Sequence, residues 1–561
     1  MNNKNNRIIN RLEWIREGFI LTPEIYKSMI KGFKQECEHG LNTPSASGLA
    51  TMIPSYVTRL PTGHETGTYL ALDIGGSTLR VCAVELLGQG QVNVTEVKHL
   101  ITDTLRSSTT IVFFDWIADT IAELYALLPE ETRDETSPPL AMGVSWSFPL
   151  DQTGISKGTI LRMGKGFTLA GIDGQDLATL FLEAFKRKNI RVIVTAIIND
   201  TIGAMVAHAY SNPQTRVGFI YGTGVNAAYA EKVSRIIKLN IAEWQEDSGT
   251  EMLLNTEIDI FGNESYLPIT RFDRALDANH AQPGFQPYEK MMSGAYLGEL
   301  TRLVAMDLIH EKELFEGHIP LLLNTPWSFL TAHMSEIEKF PKNNFQYIIS
   351  HITKLLQFMD GYQPNENDIH IFLDICCMVS TRAAGLAAAA MIAIIEQQTF
   401  EPNDAIVIGV NGTTFEMYPR MPERIHKALE QWYGEEKAKR IQLEVARDGG
   451  SIGAALVAML YQEVPSSIQS VSSSTAKETQ INNNQSQHLD RHSYLTEETS
   501  QRPITTTTST KKHASCPSFL DCFFGWLPGW KQKNRRTTPP FESVSTLSVV
   551  KDEKHKNTTI S

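Results

Sequence analysis

The sequence predicts an α/β protein whose helices cover its sheets. The first observation is a pair of apolar runs joined by a glycine turn, which is typical of two paired strands. This pattern occurs at Tyr69–Leu87 and again at Arg216–Glu231. The second observation is helical periodicity at Tyr288–Glu311, Asp374–Gln397 and Gly453–Glu463. The repeated hairpin also raises the hypothesis that the chain contains two related halves.

Two further strands are predicted between the hairpins, and each delivers polar residues at its end. Leu140–Pro149 is apolar up to Ser147, and Val192–Ile198 leads into Asn199-Asp200-Thr201 and an apolar helical stretch. A carboxylate at the point where a strand becomes a helix is a common catalytic position in α/β folds. Asp200 is therefore interpreted either as a catalytic carboxylate or as the N-cap of the following helix.

Length and composition exclude several classes of protein. With 561 residues, of which 42% are hydrophobic, the chain is long enough for two or three domains without stabilising disulfides. The net charge of −12 and the lack of an evident basic face argue against nucleic-acid binding.

The N-terminus resembles no signal peptide, and the six cysteines form no CxxC pairs, so a cytoplasmic location is expected. The apolar run Ala383–Ile395 is shorter than the roughly 20 residues that span a membrane and predicts a buried helix.

A change of composition near Glu463 marks the end of the globular part. Residues 465–561 contain 12 Lys+Arg and 8 Asp+Glu, a net charge of +4, which leaves −16 on the preceding residues. Runs of serine, asparagine and threonine cannot bury enough apolar surface to offset chain entropy. We therefore predict a disordered tail over residues 464–561.

An apolar, aromatic island at Cys516–Arg536 interrupts this tail and ends in a basic cluster. Aromatic residues beside basic ones suit a membrane surface, and a lipid on Cys516 or Cys522 would supply a second anchoring signal. Three interpretations stay open: peripheral attachment to a membrane, docking onto another protein, or neither role.

Three glycine turns are candidates for contact with phosphate. The segment Asp73-Ile74-Gly75-Gly76-Ser77-Thr78 combines a carboxylate, two residues without a Cβ and two hydroxyls, so backbone N–H groups can approach an anion closely. Gly222-Thr223-Gly224 and Asp448-Gly449-Gly450-Ser451 have the same character. Each turn taken alone is equally consistent with a plain hairpin. Neither GxxxxGK[ST] nor a strand–helix GxGxxG is present, so P-loop and Rossmann folds are not favoured.

Three charged side chains are further candidates. Lys165 lies between two glycines and can neutralise a phosphoryl group as a point charge, although a solvated lysine is the simpler interpretation. Glu257 and Glu289 lie in apolar-rich surroundings, where a carboxylate should be paired or bound to hydroxyls. The alternative for both is an ordinary ion pair or a surface position.

Taken in this order, the segments resemble the hexokinase family of sugar kinases from about residue 7 to residue 463. The match is one catalytic unit long and stops where the tail begins. The segments that carry it are Met52–Val57, Leu60–Gly67, Leu72–Val81, Ser145–Pro149, Lys165-Gly166-Phe167, Asn199-Asp200-Thr201, Gly222-Thr223-Gly224 with Asn226, Asn255-Thr256-Glu257, Leu267–Asp277, Tyr288–Leu300 and Ser380–Ala384.

The resemblance implies a two-lobed actin-like ATPase fold of the ribonuclease H-like type. After an N-terminal segment at 1–20, residues 21–210 would form the smaller-lobe region and residues 211–463 the larger-lobe region around a cleft. The implied reaction transfers a phosphoryl group from ATP to the 6-hydroxyl of glucose or a related hexose. Asp200 would accept the hydroxyl proton and Lys165 would neutralise the γ-phosphate. The implied hexose ligands are Ser147, Asn199, Asn226, Glu257 and Glu289.

The implied nucleotide site draws on turns from both lobes. Mg²⁺ would bridge the phosphate oxygens and be held through water by Asp73 and Asp200. The implied nucleotide-binding residues are Asp73, Gly75, Gly76, Ser77, Thr78, Arg80, Gly222, Thr223, Gly224, Ser380, Gly412, Thr413, Gly449 and Gly450.

Four positions depart from the family pattern. Gly164 stands where a sugar-binding threonine is usual, and Ile258-Asp259-Ile260 replaces Trp-Gly-Ala. Asn411 replaces an aspartate and Ile452 replaces a lysine on the nucleotide side. One lost hydrogen bond to a neutral ligand weakens binding by only about 0.5 to 1.5 kcal/mol, so we expect an active kinase. A catalytically weak or inactive sugar sensor or regulatory protein is the alternative.

Overall fold

The computed structural model describes residues 11–43, 51–130, 138–239, 250–339 and 345–462. The predicted tail at 464–561 and its island at Cys516–Arg536 lie outside these residues. The described strands form two large sheets and a two-stranded ribbon of β6 and β7. The strands are β1 (Ile53–Pro54), β2 (Thr66–Ile74), β3 (Thr78–Gly88), β4 (Gln91–Leu100), β5 (Leu140–Trp146), β6 (Leu150–Gly154), β7 (Lys157–Ile160), β8 (Val192–Ile198), β9 (Thr215–Tyr221), β10 (Val225–Lys232), β11 (Glu251–Asn255), β12 (Ile406–Asn411) and β13 (Ile441–Val445).

The two large sheets have the same strand order. The first sheet runs β4-β3-β2-β5-β8, in which β2, β3 and β4 form an antiparallel meander and β5 and β8 lie parallel to β2. The second sheet runs β11-β10-β9-β12-β13, again a meander followed by two parallel strands, with β1 added at its edge. This repetition supports the hypothesis of two related halves.

Helices cover both sheets, as the periodicity predicts. Threonine, aspartate or asparagine side chains cap the N-termini of several of them, which satisfies backbone N–H groups that have no partner within the helix. The helices are α1 (residues 11–17), α2 (Pro23–Asn42), α3 (Asp103–Arg106), α4 (Thr110–Leu127), α5 (Leu177–Lys188), α6 (Asp200–Ser211), α7 (Arg271–Ala278), α8 (Pro287–Met292), α9 (Leu297–His310), α10 (Leu321–Asn324), α11 (Thr331–Glu338), α12 (Phe345–Leu356), α13 (Glu366–Ile395), α14 (Thr413–Met417), α15 (Met421–Tyr433), α16 (Glu435–Ala438) and α17 (Ala454–Leu460).

Two helices are exchanged between the sheets. Helix α6 follows β8 of the first sheet but packs on β9, β10 and β12 of the second, whereas α17 follows β13 of the second sheet and packs on β2, β5 and β8 of the first. The two segments cross closely at Gly203 and Gly453, because a Cβ on Gly453 would come within 2.2 Å of the Gly203 carbonyl oxygen. Ile202, Met205 and Leu456 belong to the shared core between the sheets.

Each sheet also has a core of its own. Helices α4 and α5 pack on the first sheet and complete the smaller lobe. The core of the larger lobe includes residues from α1 and α2, and β1 pairs with β11 of the second sheet. Residues 11–43 and 51–54 therefore pack with the larger lobe, although they precede the first sheet in the chain.

The predicted buried helix at Ala383–Ile395 is the second half of α13. By length and composition α13 is the one described helix that could cross a membrane. However, 89% of its most apolar 18 residues are buried inside the protein. Its apolar character is explained by its place in the core of the larger lobe.

The helical periodicity at Tyr288–Glu311 corresponds to two helices, α8 and α9, with a break between them. The chain leaves the helix at Ser293, and two backbone N–H groups then bind the turn after β9 instead. Gly294 donates to the Gly222 carbonyl at 2.8 Å and Ala295 donates to the Thr223 carbonyl at 3.1 Å. The break thus fixes the position of a predicted phosphate turn.

Candidate active site

Strand direction brings the predicted residues of the smaller lobe to one sheet edge. Because β2, β5 and β8 are parallel, their carboxyl ends lie side by side. That edge carries Asp73 and the turn at residues 75–78, Ser147 after β5, and Asn199-Asp200 after β8.

The second sheet presents a corresponding edge. Strands β9, β11, β12 and β13 point the same way, since β10 lies antiparallel between β9 and β11. Gly222, Glu257, Gly412 and Gly449-Gly450 follow these four strands, and Asn226 lies at the start of β10. The sugar-side and nucleotide-side residues of the larger lobe therefore share one edge.

The two edges meet around Asp73. A Cβ on Gly450 would come within 2.8 Å of the Asp73 carboxyl carbon, so glycine is required for this approach. Burial raises the pKa of Asp73, and the negative charge of Asp200 adds to the shift. The carboxylates of Asp73 and Asp200 therefore lie close enough to interact.

Asp200 is the first residue of α6, and the N-cap is Asn199. The Asn199 Oδ1 atom accepts the backbone N–H of Thr201 at 2.8 Å and that of Ile202 at 3.3 Å. The N-cap interpretation of Asp200 is therefore wrong. Its Oδ1 accepts from Asn199 Nδ2 at 2.9 Å and from Thr201 Oγ1 at 3.2 Å, while no described residue donates to Oδ2. This second oxygen is available to accept a proton.

Lys165 does not have the surroundings of a solvated lysine. Its ammonium lies 5.3 Å from the centre of the Phe148 ring, and its stem packs on Gly76, where a Cβ would come 3.1 Å from Lys165 Cδ. Burial lowers the pKa of Lys165, while nearby carboxylates, Asp200 first, favour its charged form. The backbone is left-handed, with φ at 56°, a conformation that clusters at functional sites. The cation is thus held beside the first phosphate turn.

Two asparagines orient Glu257. Its Oε1 accepts from Asn255 Nδ2 at 2.5 Å and from Asn226 Nδ2 at 3.4 Å, and Asn226 also donates to Asn255 Oδ1 at 2.9 Å. Burial, followed by the charge of Asp259, raises the pKa of Glu257 to about 8. Donors and acceptors packed this closely suit the hydroxyls of a polyol.

Glu289 completes this sugar-side group. It is buried, and its Oε2 accepts the backbone N–H of Val225 at 3.0 Å. Among the described residues its Oε1 has no hydrogen-bond partner. Neither Glu289 nor Glu257 forms an ion pair within that part of the chain, so the ion-pair interpretation is wrong for both.

The phosphate turns are closed by short backbone hydrogen bonds. Gly75 donates to the Thr78 carbonyl at 3.1 Å, and Gly222 donates to the Gly224 carbonyl at 3.0 Å. The side chains of Ser77, Thr223 and Thr413 at these turns are exposed. Arg80 pairs with Asp448 at 3.3 Å and Glu96 at 3.4 Å, so two carboxylates hold its guanidinium.

Ser380 does not have the position that a nucleotide contact requires. It is fully buried in α13, and its hydroxyl bonds Glu338 at 2.7 Å and Arg424 at 2.8 Å. The hydroxyl therefore supports helix packing in the larger lobe. Helical periodicity did not reveal this, because it does not tell which neighbour covers a given face.

Asp73 and Asp200 fit the expected Mg²⁺. This ion usually binds one or two carboxylates, keeps several waters and takes its other ligands from phosphates. In the described ranges no group of three or more His, Cys, Asp or Glu side chains could hold a metal on its own. A site shared between two carboxylates and a nucleotide is compatible with both facts.

Comparisons with known proteins assign the family. Two sequence models, each described as hexokinase, match residues 11–210 and 216–460. Hexokinase-1 of Schizosaccharomyces pombe is 33% identical over 460 residues, which cover 81% of this chain and 92% of that protein. Hexokinase-1 of Spinacia oleracea is 35% identical over 439 residues, 76% of this chain and 86% of that protein. This chain belongs to the hexokinase family.

A solved structure supports the hexokinase fold. The hexokinase of Schistosoma mansoni, complexed with glucose, has a TM-score of 0.67 and 30% identity, and it covers 81% of this chain and 99% of its own. The predicted family, the two-lobed actin-like fold and the enzyme class, an ATP-dependent hexose phosphotransferase, are confirmed.

The structure gives physical roles to the departures of this hexokinase. Ile258 is fully buried in the core of the larger lobe, and Ile452 packs on the core shared by the two sheets. The Asn411 amide donates to the Ala446 carbonyl at 2.6 Å, a bond that an aspartate could not donate. The Gly164 carbonyl accepts the Phe167 N–H at 3.1 Å, but any residue could accept this bond, so the glycine itself has no structural explanation. The other three departures, Ile258, Ile452 and Asn411, thus serve packing or a contact with the backbone.

Arg106 makes contacts in the candidate site that the sequence did not reveal. Its Nη2 donates to the Gly76 carbonyl at 2.9 Å, and its guanidinium lies 5.8 Å from the centre of the Phe167 ring. Its own carbonyl accepts the Thr168 N–H at 2.8 Å. Arg106 therefore connects the first phosphate turn with the Lys165 loop of this hexokinase. No local pattern marks it, because both partners are distant in the chain.

We expect Arg106→Ala to lower kcat by about 10- to 100-fold, because the two loops that face phosphate would lose their common support. Glucose should still raise the melting temperature by the same amount as in the wild type. Steady-state kinetics with varied ATP would measure the effect. The matched control is Asp103→Ala, which removes the exposed ion-pair partner of Arg106 at 2.9 Å and leaves the Gly76 contact intact. Equal kcat values for both variants would contradict the positioning role.

Proposed function

We propose that this hexokinase transfers the γ-phosphoryl group of ATP to the 6-hydroxyl of glucose or a related hexose, with Asp200 as the general base. The observation that carries the assignment is the position of Asp200, with a free carboxylate oxygen between the phosphate turns and the sugar-side carboxylates. Lys165 lies near the same carboxylate, so a cation stands where phosphoryl charge would develop.

The proposed step moves one proton and one phosphoryl group. The hexose 6-hydroxyl oxygen attacks the γ-phosphorus, the bond to the ADP oxygen breaks, and the hydroxyl proton passes to Asp200. The products are hexose 6-phosphate and ADP. The protein chiefly positions the reactants and stabilises charge, because phosphoryl transfer needs little covalent assistance.

The hexose would be held by Ser147, Asn199, Asn226, Glu257 and Glu289. Glu257 and Glu289 would supply acceptors, and Asn226 Nδ2 would supply a donor in place of its long 3.4 Å bond to Glu257, a combination that suits sugar hydroxyls. Asn255 supports Glu257 in this task through its bond at 2.5 Å. Asn255 belongs to the segment Asn255-Thr256-Glu257, but its support of Glu257 could be inferred only from the contact.

The nucleotide phosphates would lie against the glycine turns of both lobes. Mg²⁺, held by Asp73 and Asp200 through water, would neutralise charge on the phosphate oxygens. Arg80, Thr223 and Thr413 would line the same region. A direct Ser380 contact is not part of this proposal, since that hydroxyl is occupied.

The test is phosphorylation of a panel of hexoses by the purified full chain, with ATP and Mg²⁺ supplied or omitted. Glucose or a close relative should be converted to a 6-phosphate that requires both additions. Glucose binding without turnover would favour the sugar sensor, which no comparison supports at present. A chain that neither binds nor phosphorylates any hexose would refute the proposal.

The location and the tail stay predictions. A cytoplasmic enzyme is expected from composition, and Cys516–Arg536 lies outside the described residues. Fractionation of wild type and a Cys516→Ser, Cys522→Ser double variant would distinguish membrane attachment from the other two interpretations.

A further inference from the structure

A third carboxyl group lies beside the sugar-side residues. Asp259 belongs to the short 3₁₀ helix Ile258–Ile260 that directly follows Glu257, and it is only 8% exposed. The amide of Gln286 donates to its Oδ2. Its Oδ1 is buried and has no hydrogen-bond partner among the residues that the structure describes. Ionising a carboxyl group in such surroundings is costly, since water no longer solvates the charge.

Helix α8 packs against this 3₁₀ helix and adds a second unsatisfied carboxyl group. Glu289 is 4% exposed, and only one of its oxygens is bonded, by Val225. Within the described ranges no lysine, arginine or histidine forms an ion pair with Asp259 or Glu289. The neighbouring Lys290 is engaged elsewhere, at 2.6 Å from both Asp277 Oδ1 and the Gln282 carbonyl.

These two acids influence each other. Burial raises the pKa of Asp259, and the negative charge of Glu289 raises it further, while hydrogen bonds from Gln286 and from the backbone of Asp259 and Ile260 partly oppose the shift. Burial also raises the pKa of Glu289, although the Val225 N–H partly opposes the shift. Two buried carboxyl groups without a counter-charge cannot both ionise near neutral pH, and they lose their protons as a coupled pair.

The other titratable and charged groups around the pair do not neutralise it. Glu257, whose own pKa is raised to about 8, is a third acid that raises the pKa of Glu289 when it ionises, and Lys290 supplies a positive charge that is shared with Asp277. Tyr296, at the start of α9, is a buried phenol whose pKa is raised by burial and then by Glu289 and Asp259. Burial lowers the pKa of His280, whose ring lies 5.6 Å from the Tyr296 ring, so a neutral imidazole is favoured there.

We propose that Asp259 is a positioning residue for the hexose. It forms a buried acid pair with Glu289 that accommodates one negative charge. The sugar binds best while one proton is on the pair. This inference rests on the proposed role of Glu289 as a hexose ligand. The protonated carboxyl of Asp259 leaves Glu289 as the anion that accepts sugar hydroxyls. A second ionisation would place two like charges in the same buried region, where no cation pairs with either of them among the described residues.

The consequence is a bell-shaped dependence of hexose affinity on pH. On the acid side Glu289 gains a proton and loses its strength as an acceptor. On the alkaline side Asp259 loses its proton, and affinity should fall by up to about tenfold per pH unit, the limit for release of one proton. Because the two groups are coupled, the apparent pKa values of the acid and alkaline limbs are properties of the pair and cannot be assigned to one residue alone.

The test is the dissociation constant of glucose for the full chain, measured by calorimetry from about pH 6 to about pH 9.5, a range that spans a raised carboxyl titration. The variant is Asp259→Asn, whose amide mimics the protonated acid, can still accept from Gln286 and cannot ionise. The control is Glu436→Gln, which removes an exposed carboxylate far along the chain. The variant should lose the alkaline limb, and the control should keep it.

Stability provides a second readout. Because the folded-state pKa of Asp259 is raised above its usual value, its burial is tolerated at pH below the usual value and becomes progressively destabilising as pH rises from that value to the folded-state pKa. The melting temperature of the wild type should therefore fall relative to that of Asp259→Asn as pH rises. Identical pH profiles of glucose affinity in wild type and variant would overturn the inference, whatever the stability result.

The outcomes separate this inference from the proposed function. If the wild type phosphorylates glucose but its affinity has no alkaline limb, the kinase stands and the role of Asp259 is refuted. If glucose does not bind at any pH, both are refuted. If binding follows the bell-shaped curve without turnover, the acid pair is supported and the kinase proposal fails.

Discussion

Replacing Asp200 with asparagine is expected to lower kcat by about 100- to 10,000-fold, the range usually lost with a general base. Asparagine can still accept from Asn199 and Thr201, so the local structure of α6 should survive. It cannot take the proton of the hexose hydroxyl. A coupled assay for ADP formation, with glucose and ATP both saturating, measures the loss.

Sugar binding should persist in the Asp200→Asn protein, because the sugar-side group around Glu257 and Glu289 is unchanged. The control is Asp173→Asn, an exposed aspartate of the smaller lobe, which should keep wild-type kinetics. The general-base role would be refuted if Asp200→Asn retained a kcat within tenfold of the wild type.

The largest expected loss of stability comes from the buried ion pair of Arg382 and Asp273. The guanidinium of Arg382 makes two hydrogen bonds to the Asp273 carboxylate, at 2.6 and 2.8 Å, and lies 4.3 Å from the centre of the Phe19 ring. Arg382 is 1% exposed. Breaking a buried pair from one side leaves an uncompensated charge and costs about 3 to 5 kcal/mol. Asp273→Asn should therefore reduce the free energy of unfolding by roughly this amount, as measured by urea denaturation.

A double variant isolates the cause. Arg382→Met together with Asp273→Asn removes both charges, so it should be less destabilised than Asp273→Asn alone. Lys439→Ala, which breaks an exposed pair with Glu435, should leave stability nearly unchanged because water and salt screen such pairs. Equal losses in the single and double variants would show that the penalty is not the unpaired arginine.

Local patterns predict the strands of this protein well and the long-range contacts poorly. β8 has the predicted bounds, and both hairpins lie where apolar runs flank a glycine turn, because a buried strand is defined by its own composition. Helix α9 could not be bounded in the same way, since the break before it is made by hydrogen bonds to Gly222 and Thr223. The lobe in which β1 lies is likewise set by its pairing with β11, about 200 residues later.

The candidate site shows the same contrast between residues that local patterns identify and residues that only long-range contacts reveal. Asp200, Lys165, Asn226, Glu257 and Glu289 belong to recognisable segments. The structure places Asp200, Asn226 and Glu257 at the two sheet edges, and Lys165 from a loop and Glu289 from α8 lie beside them. Arg106 was not identified, and Asp259 was identified only as part of a departure from the family pattern, because the neighbours that matter for each are distant in the chain. Ser380 was misplaced because a motif identifies a helix but not the direction of each of its side chains.

The exchange of α6 and α17 bears on how the chain is made. The smaller lobe is synthesised early, yet the helix that covers one face of its sheet is α17, at residues 454–460, among the last of the described elements. Domains usually fold as they leave the ribosome, the N-terminal one first. Here that face of the nascent smaller lobe must stay uncovered until nearly the whole catalytic unit has emerged. The newly synthesised chain should therefore depend on chaperones that shield this face. A stop codon shortly before residue 454 should impair the folding of the smaller lobe as well as that of the larger lobe.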